Sequence, residues 1–81
     1  MIVTVKLFAS YKDLLGEDEV ALDLPDDATV GDALALLKES FPALADQGYS
    51  PLTACNLRHV SKRHPLKDGD ELAIFPPVSG G

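Results

Sequence analysis

Along the first eight residues apolar and polar side chains alternate, with Val3, Val5 and Leu7 on one side and Thr4 and Lys6 on the other, which predicts a half-buried strand over 2–8. Ala9 to Leu15 fits a short helical turn stopped by Gly16, a residue that adopts the left-handed C-cap conformation without steric penalty. The alternation returns at Val20, Leu22 and Leu24 and predicts a second strand over 19–24, antiparallel to the first. Pro25-Asp26-Asp27 supplies the turn that ends it.

The period then changes. Val30, Ala33, Leu34, Leu37 and Phe41 recur at helical spacing behind Thr29, a good N-cap with an acid, Asp32, three residues on. This predicts a helix over 30–40, closed by Pro42. Residues 43–51 hold Gly48, Ser50 and Pro51 without a clear period and read as a loop with room for one helical turn. Leu52 to Asn56 is a short strand candidate, and Val60 is assigned to another brief strand after a turn at 56–58. Lys67-Asp68-Gly69-Asp70 is a turn signal feeding a last strand, Glu71 to Phe75.

The order is therefore ββαβββ with one main helix, whose apolar stripe is most economically buried across one face of a mixed sheet. If the last strand lies beside the first, the two form a parallel pair joined by a long crossover. The expected fold is α+β and resembles the β-grasp, or ubiquitin-like, arrangement: four to five strands, one main helix packed on one face, and an extended C-terminal tail. Residues 1–75 read as the domain and 76–81 as the tail.

With 81 residues, 46% of them hydrophobic, the chain can build one core but no large enclosed active site. Its net charge of −6, from 13 acidic and 7 basic residues, argues against nucleic acid and anionic membranes as partners and fits basic protein partners better. Cys55, the only cysteine, cannot form an internal disulfide, and no leader or long apolar run is evident, so the cytoplasm is the expected compartment.

Chemistry concentrates in the tail. Pro76 and Pro77 lack N–H donors and fix φ, which ends strand pairing and favours a stiff, extended exit. Val78, Ser79, Gly80 and Gly81 continue as a slender thread, and the six tail residues reach at most roughly 20 Å. The Gly81 α-carboxylate is a poor electrophile and needs activation, for example as a mixed anhydride with AMP. Because neither G-x-x-x-x-G-K-[ST] nor G-x-G-x-x-G occurs in the sequence, activation is assigned to another protein, and no cofactor is expected on this chain.

Leu66-Lys67-Asp68-Gly69-Asp70-Glu71-Leu72-Ala73-Ile74-Phe75-Pro76-Pro77-Val78-Ser79-Gly80-Gly81 resembles the C-terminus of the small, sulfur-carrying subunits of molybdopterin synthase. Val5-Lys6-Leu7-Phe8-Ala9 followed by Leu14-Leu15-Gly16 is similar to that family's first strand and turn, while 41–51 matches weakly. The resemblance implies that a ubiquitin-activating-like adenylating enzyme uses ATP to form a glycyl adenylate at Gly81, and that a sulfur donor protein then leaves a thiocarboxylate there. It further implies insertion of the tail, through Gly80, into the large synthase subunit, where the sulfur attacks cyclic pyranopterin monophosphate. The implied assembly is a heterotetramer of two small and two large subunits, with Phe75, Pro76, Pro77, Val78 and Ser79 as partner-binding residues and the catalytic groups on the large subunit.

Other residues invite roles that their surroundings favour less. Cys55, in an apolar-flanked strand, reads as a small buried hydrophobe rather than a sulfur relay. His59 and His64 stand among Arg58, Lys62 and Arg63 without metal-ligand spacing and read as part of a solvated basic loop, although the resemblance gives the family an apolar residue at His59, on the docking face. Asp68, Asp70 and Glu71 are turn formers that could also steer the tail toward a basic site. Phe75 fits core and partner anchor equally well by its type, and the resemblance favours the interface. A sulfur carrier for thiamine thiazole or tRNA thiolation, a ubiquitin-like protein modifier and a pure interaction module stay open as alternatives.

Overall fold

In the computed structural model, which describes residues 1–47 and 51–76, the alternation in the first strand becomes the inner and outer faces of a five-stranded sheet. The strands are β1 (Ile2–Leu7), β2 (Glu19–Asp23), β3 (Leu52–Cys55), β4 (Arg58–His59) and β5 (Glu71–Phe75), in the spatial order β2-β1-β5-β3-β4. β1 and β5 occupy the middle as a parallel pair, with Thr4 opposite Glu71 and Leu7 opposite Ile74; β2 runs antiparallel to β1, and β3 antiparallel to β5. This is the β-grasp arrangement that the order of elements foretold.

Parity decides the layers. Val3, Val5 and Leu7 of β1 and Leu72 and Ile74 of β5 all face inward and are buried, because side chains two apart share a face. Helix α2 (Val30–Ser40) lies over that face and buries Val30, Ala33, Leu34 and Leu37; each Val or Leu so removed from water contributes about 1.5–3 kcal/mol. The helix starts on a capping box: the Thr29 hydroxyl accepts from the Asp32 N–H at 3.3 Å and the Asp32 carboxylate accepts from the Thr29 N–H at 2.9 Å. Phe41 forms the C-cap, and Pro42 opens a 3-10 helix (Pro42–Gln47) where a loop with one helical turn is expected.

Helix α1 (Ser10–Leu15) ends at Gly16 with φ 71°, the left-handed cap that the glycine signalled. A correction falls on Val60. The β3–β4 turn comprises only Asn56 and Leu57, so the short strand takes Arg58 and His59, and Val60 follows it. Both turn residues have positive φ, 49° and 72°, as a two-residue type I′ hairpin requires. Behind β4, the loop at 61–64 is pinned to the start of α2: the Gly31 N–H donates to the Lys62 carbonyl at 2.8 Å and the Val30 N–H to the His64 carbonyl at 2.9 Å.

Candidate functional site

β5, a central strand, ends at Phe75 with Pro76 next in the chain, and among the described residues nothing covers the sheet face around that end. By parity Glu71, Ala73 and Phe75 point away from α2, and β3 places Leu52 opposite Phe75 and Ala54 opposite Ala73. Phe8, one residue past β1, stacks on Phe75 with ring centroids 4.8 Å apart and planes at 15°. Leu57 and His59 of the hairpin close the other side, and the result is an open, largely apolar groove of about 760 Å³ that Pro76 borders where the tail begins. Phe8 and Leu52 are each 43% exposed and Leu57 is 95% exposed, an unusual cluster of large apolar side chains in water.

Backbone strain gathers at the same place. The three non-glycine residues with positive φ among the described residues are Ala9 (52°), Asn56 and Leu57; Ala9 and Leu57 line the groove and Asn56 adjoins it. A side chain with a Cβ in the left-handed region costs roughly 1–2 kcal/mol, so Leu57 is held in an unfavourable conformation with its side chain in solvent.

The holding group is Asp70. Its carboxylate accepts from Asn56 Nδ2 at 3.0 Å, from the Lys67 N–H at 2.8 Å and from Cys55 Sγ at 3.5 Å, while the Asn56 side-chain oxygen accepts from the Glu71 N–H at 3.1 Å. The hairpin tip is thereby tied to the first residues of β5. Burial works to raise the Asp70 pKa, but the donors from Asn56, Lys67 and Cys55 outweigh it and hold the carboxyl below its ordinary range. For Cys55 burial dominates, seconded by the charge and hydrogen bond of Asp70, and the thiol is pushed up to about 11.

Of the residues that sequence singles out, Phe75 is half-buried on the open face and thus serves as a groove wall, and Pro76 borders the groove. Pro77, Val78, Ser79, Gly80 and Gly81 lie outside the described residues. Cys55 is buried and protonated at neutral pH, which makes it a poor nucleophile. His59, read from the sequence as part of a solvated basic loop, belongs instead to strand β4 and borders the groove. Sequence reasoning missed Phe8, Leu52 and Leu57 as groove residues; the parity of β1, continued one step to Phe8, was the available signal for the first. Among the described residues no helix is long and apolar enough to cross a membrane, and no three His, Cys, Asp or Glu residues group as a metal site.

The ThiS family profile matches residues 5–81. The molybdopterin synthase sulfur carrier subunit of Escherichia coli (strain K12) is 42% identical over 81 residues, covering 98% of this chain and 99% of that protein. Among solved structures, small archaeal modifier protein 1 of Haloferax volcanii superposes with a TM-score of 0.89 at 36% identity over the full length of both chains. A complex of subunits 1 and 2 of the molybdopterin-converting factor of Helicobacter pylori 26695 contains a chain that matches with a TM-score of 0.69 at 29% identity, again over the full length of both. Sequence match, strand order and the open face beside the tail exit agree: the chain belongs to the ThiS family of β-grasp proteins and is a homologue of the molybdopterin synthase sulfur carrier subunits.

Proposed function

We propose that this chain is the sulfur carrier subunit of a molybdopterin synthase, with Gly81 as the atom-bearing end. The observation that carries the reading is positional: a central strand held between two neighbours ends with Pro76 on the edge of an exposed apolar groove, and the family match extends through Gly81. The groove of Phe8, Leu52, Leu57 and Phe75 supplies the area on which a partner docks, while the tail reaches onward into that partner's active site. Docking and chemistry are thus divided between the folded body and the thread.

In this reading a ubiquitin-activating-like enzyme, using ATP, converts the Gly81 carboxylate to an acyl adenylate. A donor protein supplies sulfur released at the sulfide level; that sulfur attacks the acyl carbon, AMP leaves, and loss of the S–H proton gives the terminal thiocarboxylate. That group is anionic and soft, a good nucleophile toward cyclic pyranopterin monophosphate, and a narrow water-poor tunnel in the large subunit protects it from hydrolysis. The large subunit supplies the acid–base groups, and this chain binds no cofactor of its own. Two sulfurs in the dithiolene call for two loaded carriers, consistent with a tetramer of two small and two large subunits.

Intact mass of the chain purified from its own cell tests the reading. A fraction heavier by one oxygen-to-sulfur exchange, localised to Gly81, is expected, and Gly81→Ile should fold normally yet neither acquire the exchange nor support product formation. A Gly81→Ile chain that still supplies sulfur would sink the assignment.

The strong likeness to small archaeal modifier protein 1 favours one second reading, a ubiquitin-like modifier joined to lysines through Gly81. An isopeptide-linked ladder that disappears in the Gly81-deleted chain, in the absence of any thiocarboxylate, would replace the first reading with this one.

A further inference from the structure

One part of the fold carries nearly all of the charge. Residues 1–31 hold seven of the 13 acids but only two of the seven bases, so they account for −5 of the net −6. They supply β1, α1 and β2, and β2 stands at the end of the strand order, with β1 on one side and, among the described residues, no strand on the other. The register fixes which backbone groups that edge offers. The Leu24 N–H donates to the Met1 carbonyl at 2.8 Å, the Met1 ammonium to the Leu24 carbonyl at 2.7 Å, and the Leu7 N–H to the Asp18 carbonyl at 2.9 Å. Positions 18, 20, 22 and 24 therefore turn their hydrogen-bonding groups toward β1, and the N–H and C=O of Glu19, Ala21 and Asp23 point outward.

Side chains on this edge are sorted by face. Glu19, Ala21 and Asp23 share the outer face of the sheet with their β1 partners Lys6, Thr4 and Ile2. Val20 and Leu22 face the helix, and Val20 is half-buried at the rim of the core. At the head of β2 an open hollow of about 420 Å³ is lined by Lys12, Asp13, Gly16, Glu17 and Asp18, so acids outnumber its one base. Acids along an edge keep two copies of the chain apart, because identical edges repel. The same field that closes the edge to a second copy attracts a strand of opposite charge.

We propose that the free edge of β2 is a strand-addition site for an extended segment of a partner protein in which basic and apolar residues alternate. Its backbone pairs with the outward groups of Glu19, Ala21 and Asp23. Its basic side chains lie on the outer face beside Glu19 and Asp23, with one more at the acidic hollow, and its apolar side chains cover Val20 on the helix side. This edge is separated from the apolar groove by β1 and contributes no residue to it. The proposal does not rest on the sulfur-carrier reading; it adds an attachment point of different chemistry on another side of the domain.

The probe is a short peptide of alternating lysine and valine, capped at both ends, titrated into the full chain at low salt and followed by amide NMR and hydrogen exchange. Protection should rise at least about tenfold at the amides of Glu19, Ala21 and Asp23 and stay unchanged at Val20 and Leu22, whose N–H groups already bond to β1. A peptide of the same composition with lysines and valines in separate blocks should bind about tenfold more weakly. Ala21→Pro removes one outward N–H, spares the ladder to β1, and should abolish the added protection. Glu19→Gln with Asp23→Asn should weaken binding about fivefold at low salt, a difference that fades by about 0.5 M NaCl, while Phe75→Ala should leave binding unchanged. Protection that fails to alternate, equal binding of the block peptide, or dependence on Phe75 overturns the proposal. So does absence of binding at about 1 mM peptide. Every readout lies on β2, so failure here leaves the sulfur-carrier reading standing, and a Gly81 without sulfur leaves this proposal standing.

Discussion

Phe8 and Phe75 stack with centroids 4.8 Å apart, so the end of β1 and the end of β5, distant in sequence and parallel in the sheet, are joined by one aromatic contact at the tail exit. Both rings retain solvent exposure, and the pair contributes only about 0.5–1.5 kcal/mol beyond its buried area. Phe75→Ala should therefore lower stability modestly in a denaturant titration. Under the proposed function, binding to the large synthase subunit should suffer more, by at least about 2 kcal/mol, since an aromatic anchor within an interface carries a disproportionate share of its energy. A variant that binds normally in calorimetry would remove Phe75 from the docking surface.

Leu57 makes the opposite combination. Its left-handed backbone favours glycine, and its side chain, 95% exposed, loses nothing to water on removal. Leu57→Gly is expected to raise stability by about 0.5–1 kcal/mol, the relieved strain exceeding the added chain entropy of the unfolded state. The same variant should bind its partner less tightly. A melting temperature that falls would mean that the turn gains from Leu57 something its exposure does not reveal.

The layers were legible because burial follows side-chain period: Val3, Val5 and Leu7 at spacing two, and Val30, Ala33, Leu34 and Leu37 at helical spacing, each name one face. Gly16 and Thr29-Val30-Gly31-Asp32 announced their caps by local chemistry alone. Asn56 and Leu57 were legible as a turn, but its end was not: type I′ turns are usually marked by glycine in second place, and without that mark the turn was extended to Arg58, which displaced the strand from Arg58–His59 to Val60. The groove escaped for another reason. Phe8, Leu52, Leu57 and Phe75 come from four separate segments, and only strand order brings them together. Net charge, likewise, reports a sum and hides where the signs lie.

Asp70 ties stability to acid. Its carboxyl is held below the ordinary 3.8 by three donors, so the folded state takes up that proton less readily than the unfolded chain. Its contribution is complete above the unfolded value and disappears as pH falls through the folded one. Asp70→Asn turns an amide N–H₂ toward groups that are already donors and should lower stability at neutral pH by about 1–2 kcal/mol. The gap between the two proteins should narrow below about pH 4 in chemical unfolding. A gap constant down to pH 2 would show that the charge itself contributes nothing.

Cys55 closes the same network from the core side and responds to base. Its thiol titrates near 11 rather than 9.0, so folding favours the protonated form; that stabilisation is whole below the unfolded value and is lost as pH rises from 9.0 through about 11. At neutral pH a buried, protonated sulfur has little nucleophilic character, which separates Cys55 from any relay of sulfur to the tail. Cys55→Ala should cost about 1 kcal/mol for the lost sulfur contacts and leave loading of Gly81, read by intact mass, unchanged. Iodoacetamide should label the native chain at pH 8 far more slowly than the chain unfolded in guanidinium. Rapid native labelling together with loss of the oxygen-to-sulfur exchange in Cys55→Ala would return the cysteine to the sulfur path.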